Sequence, residues 1–413
     1  MKLGRRSFVG AALTGLASAS GRAQTGPAGG SVPATDLEPL LLTDFRPKSR
    51  LVVPEHHVPR ARFPAIDMHT HVGSVFRRTP KPGDALQGTG EARLARIVEW
   101  MDALNLKTMI NLPGGFGSDQ LQETVRILDQ RYPGRFYSCI QPDYRRLHDP
   151  AYPQWQADDL ERAKRLGAVG LKVNKTLGLY LREGLFKEHE REPGQQGPLV
   201  KIDDERLWPM WKAAGELKLP VFIHISDPDA FFTPVDRYNE RWEELSRHPE
   251  ARFTGGDLPT KQELLDARNR VIEMNPGTTF IGLHVATNPE NLRQVATWLD
   301  RYPNFHVEIA ASLGELGRQP RQARWFFETY RTRIMFGTDA SPNGTQYPQQ
   351  DLKPEMYQCY FRFLETLDEY FDYSPAEFPP QGFWKIYGIG LPDGLLKDFY
   401  HNNAARLLGW DTI

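Results

Sequence analysis

The run Asp67-Met68-His69-Thr70-His71 ends a short apolar stretch with two imidazoles two positions apart. In an extended strand residues i and i+2 share a face, so His69 and His71 are expected to point one way, and Met68 and Thr70 the other, toward the helices. Single histidines close two further apolar runs, Val221-Phe222-Ile223-His224 and Ile281-Gly282-Leu283-His284, and a carboxylate closes another, Phe336-Gly337-Thr338-Asp339. Each of these taken alone reads equally well as a satisfied core residue. Taken together, at the ends of several strands, they read as one site. Neutral imidazoles with a carboxylate form a nitrogen and oxygen donor set for one divalent metal ion, Zn²⁺ first, with Mn²⁺, Fe²⁺ and Co²⁺ also suited. Cys139 and Cys359 lie far apart and exclude both a cysteine-rich zinc site and a disulfide framework.

Strands must bring these groups to one place. Eight candidate strands, at 65–72, 107–112, 136–141, 168–174, 220–226, 279–285, 305–311 and 333–338, alternate with helical-period stretches. Proline stops two of those stretches at Tyr132-Pro133 and Tyr302-Pro303. That alternation predicts an α/β protein, a (β/α)8 TIM barrel over residues 61–350 with its site at the C-terminal ends of the strands. A doubly wound sheet is the competing architecture, but no Gly-x-Gly-x-x-Gly follows a strand. Two long connections, Lys175 to Asp204 and Asp227 to Pro259, are expected to wall the mouth. Residues 351–413 are aromatic-rich and predict a helical extension packed on the barrel.

With those motifs in view, Asp67-Met68-His69-Thr70-His71, the lone His224 and His284, and Gly337-Thr338-Asp339 resemble the amidohydrolase superfamily. The likeness is to its amidohydrolase-2 branch, which includes aminocarboxymuconate-semialdehyde-decarboxylase-like proteins, and it spans about residues 64–409. The resemblance implies a mononuclear centre with His69, His71, His224 and Asp339 as ligands, and His284 as a catalytic or substrate-polarising group outside the ligand set. Binuclear members carry a carboxylated lysine at the end of strand four. Here Lys172 occupies that neighbourhood, and three roles stay open for it: bridging a second metal, pairing with a substrate carboxylate, or neutralising Glu308.

A metal-activated water attacking an ester, lactone or amide carbonyl follows from such a site, with Asp339 as general base and His284 hydrogen-bonded to the carbonyl oxygen. Two alternatives stand beside it: a metal-dependent decarboxylase (a lyase) on the same site, and a periplasmic binding protein without catalysis. Arg77, Arg78 and Lys81 follow the first strand as a solvated loop or an anion contact, Asn111 and Gln141 end strands two and three, and Asp67 is expected to lie deeper and orient a ligand histidine.

The first residues read as an address. Arg5-Arg6-Ser7-Phe8 and the small-residue run after it resemble a twin-arginine export signal, with cleavage expected after Ala19 or Ala23. Residues 1–23 would be the signal and 24–60 a Gly- and Pro-rich lead-in, giving a periplasmic or secreted product. The chain has 413 residues, with 51 Lys plus Arg against 52 Asp plus Glu, so no broad basic surface points to nucleic acid. No segment suits a membrane span. The expected partner is a small-molecule substrate, and the aromatic C-terminal helices offer a surface for a second copy.

Overall fold

The computed structural model describes residues 40–41, 44–183, 197–342, 344, 348–376 and 380–413. The proposed export signal, about half of the lead-in and part of the connection after strand four lie outside the described residues. The chain divides into residues 1–50 and a body from Leu51 to Ile413. In the first unit a turn is closed by Asp44 N donating to Leu41 O at 2.9 Å. The rest concerns the body.

Eight parallel strands alternate with helices: β1 (Ala65–Thr70), β2 (Leu106–Asn111), β3 (Phe136–Ser138), β4 (Leu171–Val173), β5 (Val221–Ile223), β6 (Phe280–Gly282), β7 (Phe305–Glu308) and β8 (Ile334–Met335). They pair in order as β1-β2-β3 and β4-β5-β6-β7-β8. Both seams between the two runs are hydrogen-bonded. Ile140 N donates to Gly170 O at 3.0 Å and Lys172 N to Ile140 O at 2.7 Å, which joins β3 to β4. Met68 N donates to Phe336 O at 3.0 Å and Asp339 N to His69 O at 2.8 Å, which joins β8 to β1. The ring is closed, and the fold is a (β/α)8 barrel.

Side chains alternate around that ring. Met109, Val221, Ile223, Phe280, Phe305, Val307 and Ile334 pack with the helices in the main core. Ile66, Met68, Ile110, Cys139, Phe222, Ile281 and Met335, drawn from strands or strand ends around the ring, form a separate buried cluster. Only the barrel interior brings such distant strands into contact. Ala404 and Ala405, from the helix Asn403–Leu408, join the cluster and close its floor, with the Trp410 ring tilted against Tyr137 at 4.7 Å.

The strands are shorter than the sequence suggests, mostly at their C-terminal ends, because the chain leaves the sheet there to build the site. The helix Tyr152–Leu166 runs between β3 and β4, and the helix Gly117–Thr124 passes into a wider turn over Val125–Asp129. In the C-terminal extension Pro354–Glu365 forms one helix and Asp393–Leu408 a second helical run with a wider turn at Asp398–Asn402, while Tyr370, Phe371 and Tyr373 lie in irregular chain. Tyr357, Tyr360, Phe361 and Phe363 are buried within the body rather than offered to a second copy. Among the described residues, no helix is long and apolar enough to cross a membrane.

Candidate metal centre and active site

A β-bulge aims the first histidine. Asp67 lies opposite Met109, and Thr70 opposite Asn111, so three steps on β1 span two on β2. Strict alternation therefore fails. Met68 belongs to the barrel interior, not the helix layer, and His69 still reaches the mouth. Asp67 locks the bulge. Its Oδ1 accepts from His69 N and Thr338 N, both at 3.1 Å, and its Oδ2 accepts from Thr338 Oγ1 at 2.6 Å and Tyr357 Oη at 2.8 Å. It fixes the backbone of two ligand-bearing strand ends, where an imidazole ring had been the expected target. Burial pushes its carboxyl up to about 6.

His69 Nε2 and His71 Nε2 both stand 3.0 Å from Asp339 Oδ1. On its other edge, His69 Nδ1 lies 3.2 Å from Glu308 Oε1. Glu308 is fully buried, and it also accepts from His284 N at 2.7 Å and Ala310 N at 2.5 Å. A carboxylate can only accept, so Nδ1 carries a proton toward Glu308 and, without a metal ion, Nε2 carries one toward Asp339; burial would lower the His69 pKa, but these two carboxylates outweigh it and raise it. A divalent ion would take the place of that Nε2 proton and be shared between the ring and Asp339. The convergent donors suit a divalent ion, and the Glu308 contact is the outer support that metal-binding histidines use. Burial alone would raise the Asp339 carboxyl, but the His69 and His71 imidazoles outweigh it and hold it well below the usual range. Gln350 Nε2 donates to the second oxygen, Asp339 Oδ2.

His224 and His284 sit in the same cluster. Their rings are 4.5 Å apart, and His284 is 4.9 Å from His69. His224 Nε2 faces Ser226 O at 2.9 Å and Asp227 Oδ1 at 3.5 Å, so His224 stands beside the three convergent donors and is not one of them. His284 Nδ1 donates to Ala310 O at 2.8 Å. A carbonyl oxygen offers no proton, so this histidine is held as the Nδ1–H tautomer with Nε2 as its acceptor. Burial pushes it down to about 3, and His224 to about 4. A neutral ring in that tautomer accepts a proton; it does not donate one to a developing oxyanion, which changes the polarising role expected for His284.

The centre opens into a cavity of about 680 Å³. Lys172 lines it from β4, with its pKa lowered to about 8 by burial. Among the described residues no carboxylate lies within ion-pair distance of its ammonium, so the direct neutralisation of Glu308 is not what the structure shows. The two long connections do wall the mouth. The first supplies Lys175, Thr176 and Tyr180, and the second supplies Asp227, Phe231 and Phe253. Phe231 stacks on Phe253, and Lys175 pairs with Asp227 at 2.6 Å. Arg77 lines the cavity and donates to Pro113 O, whereas Arg78 pairs with Asp84. Gln141 lines it as well, with a buried Oε1 that has no hydrogen-bond partner among the described residues. Asn111 is structural, accepting from Gly73 N and donating to Ser138 Oγ.

Residue type alone gave little weight to Glu308, Tyr357 and Gln350. A carboxylate mid-strand between apolar neighbours was the one available signal for Glu308. For the other two, helical aromatic spacing and a Gln-rich loop carried none.

The family model described as Amidohydrolase matches residues 66–410. None of the curated proteins matches the chain. Similar solved structures include a 2,6-dihydroxybenzoate decarboxylase from Rhizobium, at 18% identity and TM-score 0.46 over 84% of this chain and 99% of that one. A dihydroxybenzoic acid decarboxylase from Polaromonas, with bound manganese and the inhibitor 2-nitroresorcinol, matches at 16% identity and TM-score 0.47 over 84% and 97%. A 4-oxalomesaconate hydratase from Rhodopseudomonas palustris matches at 12% identity and TM-score 0.45 over 84% and 95%.

Proposed function

This chain belongs to the amidohydrolase family, and from that premise we propose that it is a metal-dependent hydrolase acting on an ester, lactone or amide carbonyl. The observation that carries the reading is the convergence of His69 Nε2 and His71 Nε2 on Asp339 Oδ1, with the His69 proton committed to Glu308. His69, His71 and Asp339 would hold one divalent ion, with His224 as the proposed fourth ligand and Zn²⁺ as the first choice. The chemistry an ion supplies in such a site is a lower pKa for water, from about 15.7 toward about 7.

The chain's own groups do the rest. Asp339 takes the proton of the attacking water at Oδ2, the oxygen turned from the imidazoles toward Gln350. His284, neutral and open at Nε2, is the second acceptor and can pass a proton toward the leaving group once it has gained one. Lys172, charged below about 8, faces the negative charge that develops on the carbonyl oxygen. The aromatic wall of Phe231 and Phe253 excludes water from one side of the substrate.

One observation favours a second reading. A buried ammonium at Lys172 without an acidic ion-pair partner among the described residues also suits a substrate carboxylate, which is what a decarboxylase on this site would need. A binding protein has no use for a general base beside a cation site. We also propose that the product works outside the inner membrane, on the strength of Arg5-Arg6-Ser7-Phe8.

The test is metal content per chain by elemental mass spectrometry, followed by turnover of dihydrocoumarin, p-nitrophenyl acetate and 2,6-dihydroxybenzoate. About one equivalent, lost in a His69→Ala/His71→Ala variant, is expected. Hydrolysis of the first two probes should vanish on chelation and return with Zn²⁺ or Mn²⁺. Carbon dioxide release from the third, without hydrolysis, would move the assignment to the decarboxylase. Protein that takes up no divalent ion would overturn both.

A further inference from the structure

The chain after β6 runs through four consecutive non-glycine residues in the left-handed region, with φ of 53° at His284, 54° at Val285, 57° at Ala286 and 57° at Thr287. Each such residue is held against the clash of its Cβ with the following carbonyl oxygen. A strap of this kind persists only where its surroundings hold it. Glycine at position 282 lets it fold back, since a Cβ there would stand 2.6 Å from the Phe305 ring and 2.9 Å from Ala286 Cα.

One anchor comes from behind the strap. Arg268, on the helix Lys261–Met274, is fully buried, and its Nη1 donates to Ala286 O at 2.7 Å. That helix is fixed at its start by a capping box between Thr260 and Glu263. The guanidinium lies between the rings of Trp298 and Phe305, 4.3 and 5.0 Å from their centroids. Its other donors reach the neighbouring Asn269 Oδ1. Among the described residues no carboxylate pairs with it. A buried cation without a counter-charge is expensive, and Met or Leu would fill the same space without that expense. What an apolar residue could not do is hold the carbonyl of the strap.

We infer that Arg268 is a positioning residue for His284, and that it acts by fixing the left-handed strap through Ala286 O. The geometry leaves His284 one edge on Ala310 O and its backbone N–H on Glu308, two contacts that survive only while the strap keeps its hand. The inference rests on the reading of His284 as a catalytic group.

The experiment uses the full chain with ¹⁵N-labelled histidine, at one fixed pH, and follows the Nδ1–H signal of His284, assigned by its absence in His284→Gln. The wild type should show it. Arg268→Met should lose it while a packing control, Phe305→Leu, keeps it. Adding Ala286→Gly to Arg268→Met should restore it, because glycine enters the left-handed region without the steric cost. An unchanged signal in Arg268→Met, or a lost signal that glycine does not recover, overturns the inference. If Arg268→Met fails to fold, folding of the glycine double variant is the expected rescue. If both fail while Phe305→Leu folds, Arg268 is only a packing residue and the inference is wrong. Failure of the catalytic reading looks different: His284→Gln would keep full turnover of dihydrocoumarin while the nitrogen signals of the strap variants still report on Arg268.

Discussion

Glu308 links three parts of the centre through two oxygens: the His69 ring, the His284 backbone and the Ala310 N–H. Replacing it with Gln keeps the shape and removes the charge that commits the His69 proton to Nδ1. Such outer supports typically carry about 10–100-fold in metal affinity, so Glu308→Gln should weaken Zn²⁺ binding by that order in a competition titration with an unchanged circular dichroism spectrum. Lys172 makes a separate prediction. A base whose folded pKa lies below its unfolded value costs the fold stability while it is protonated. With a folded value of about 8 against the usual 10.5, that cost is full below about pH 8 and gone above about pH 10.5. Metal-free Lys172→Met should therefore be more stable than the wild type at pH 7, by about 1–3 kcal/mol. The gain should shrink steadily in urea titrations between pH 8 and 10.5. A gain independent of pH would show that packing, and not the buried charge, sets it.

At the scale of elements, the site depends on contacts between strand ends and on a helix from outside the barrel. Tyr357 and Tyr360 reach in from Pro354–Glu365, the first to Asp67 Oδ2 and the second between Ala311 N and Thr338 O. Tyr357→Phe leaves Asp67 buried with one donor fewer, which costs about 1–2 kcal/mol. Because Asp67 holds the bulge that aims His69, metal affinity should fall in the same variant. A stability loss with metal affinity intact would confine Tyr357 to packing. Gly337, just past β8, sets another limit. A Cβ there would lie 2.4 Å from Glu308 Oε2 and 3.2 Å from His69 Cβ, so Gly337→Ala should displace that pair and strip the metal. Elemental analysis of the purified variant checks it.

For the whole molecule, the closed ring puts the polar centre at one end and an apolar plug at the other, where Ala404 and Ala405 meet Met68, Phe222 and Met335. Among the described residues, the site opens to solvent through the end walled by the two long connections. Folding before export is the reason a twin-arginine signal suits a metal enzyme, which can then take its ion in the cytoplasm. In a host with a working twin-arginine system the wild type should appear in the periplasmic fraction, and Arg5→Lys/Arg6→Lys should remain inside as full-length precursor. Equal distribution of the two would end the export proposal.

The local sequence determined the repeating strand and helix pattern, because apolar periodicity and proline stops are properties of a few neighbouring residues. It also determined which groups stand at the strand ends, since His69, His71, His224, His284 and Asp339 all line one cavity. Strand alternation failed at Met68 because a bulge is set by pairing with β2 and by Asp67 reaching β8, both of which are long-range contacts. The tautomers of His69 and His284 were likewise beyond the sequence, since Glu308 and Ala310 meet those rings only when β7 lies between β6 and β8 in the ring. Arg268 reads as one more charged position on a helix until the tertiary structure encloses it between Trp298 and Phe305. Donor identity is carried by the chain itself; donor direction, protonation and convergence are decided by which distant elements the closed barrel presses together.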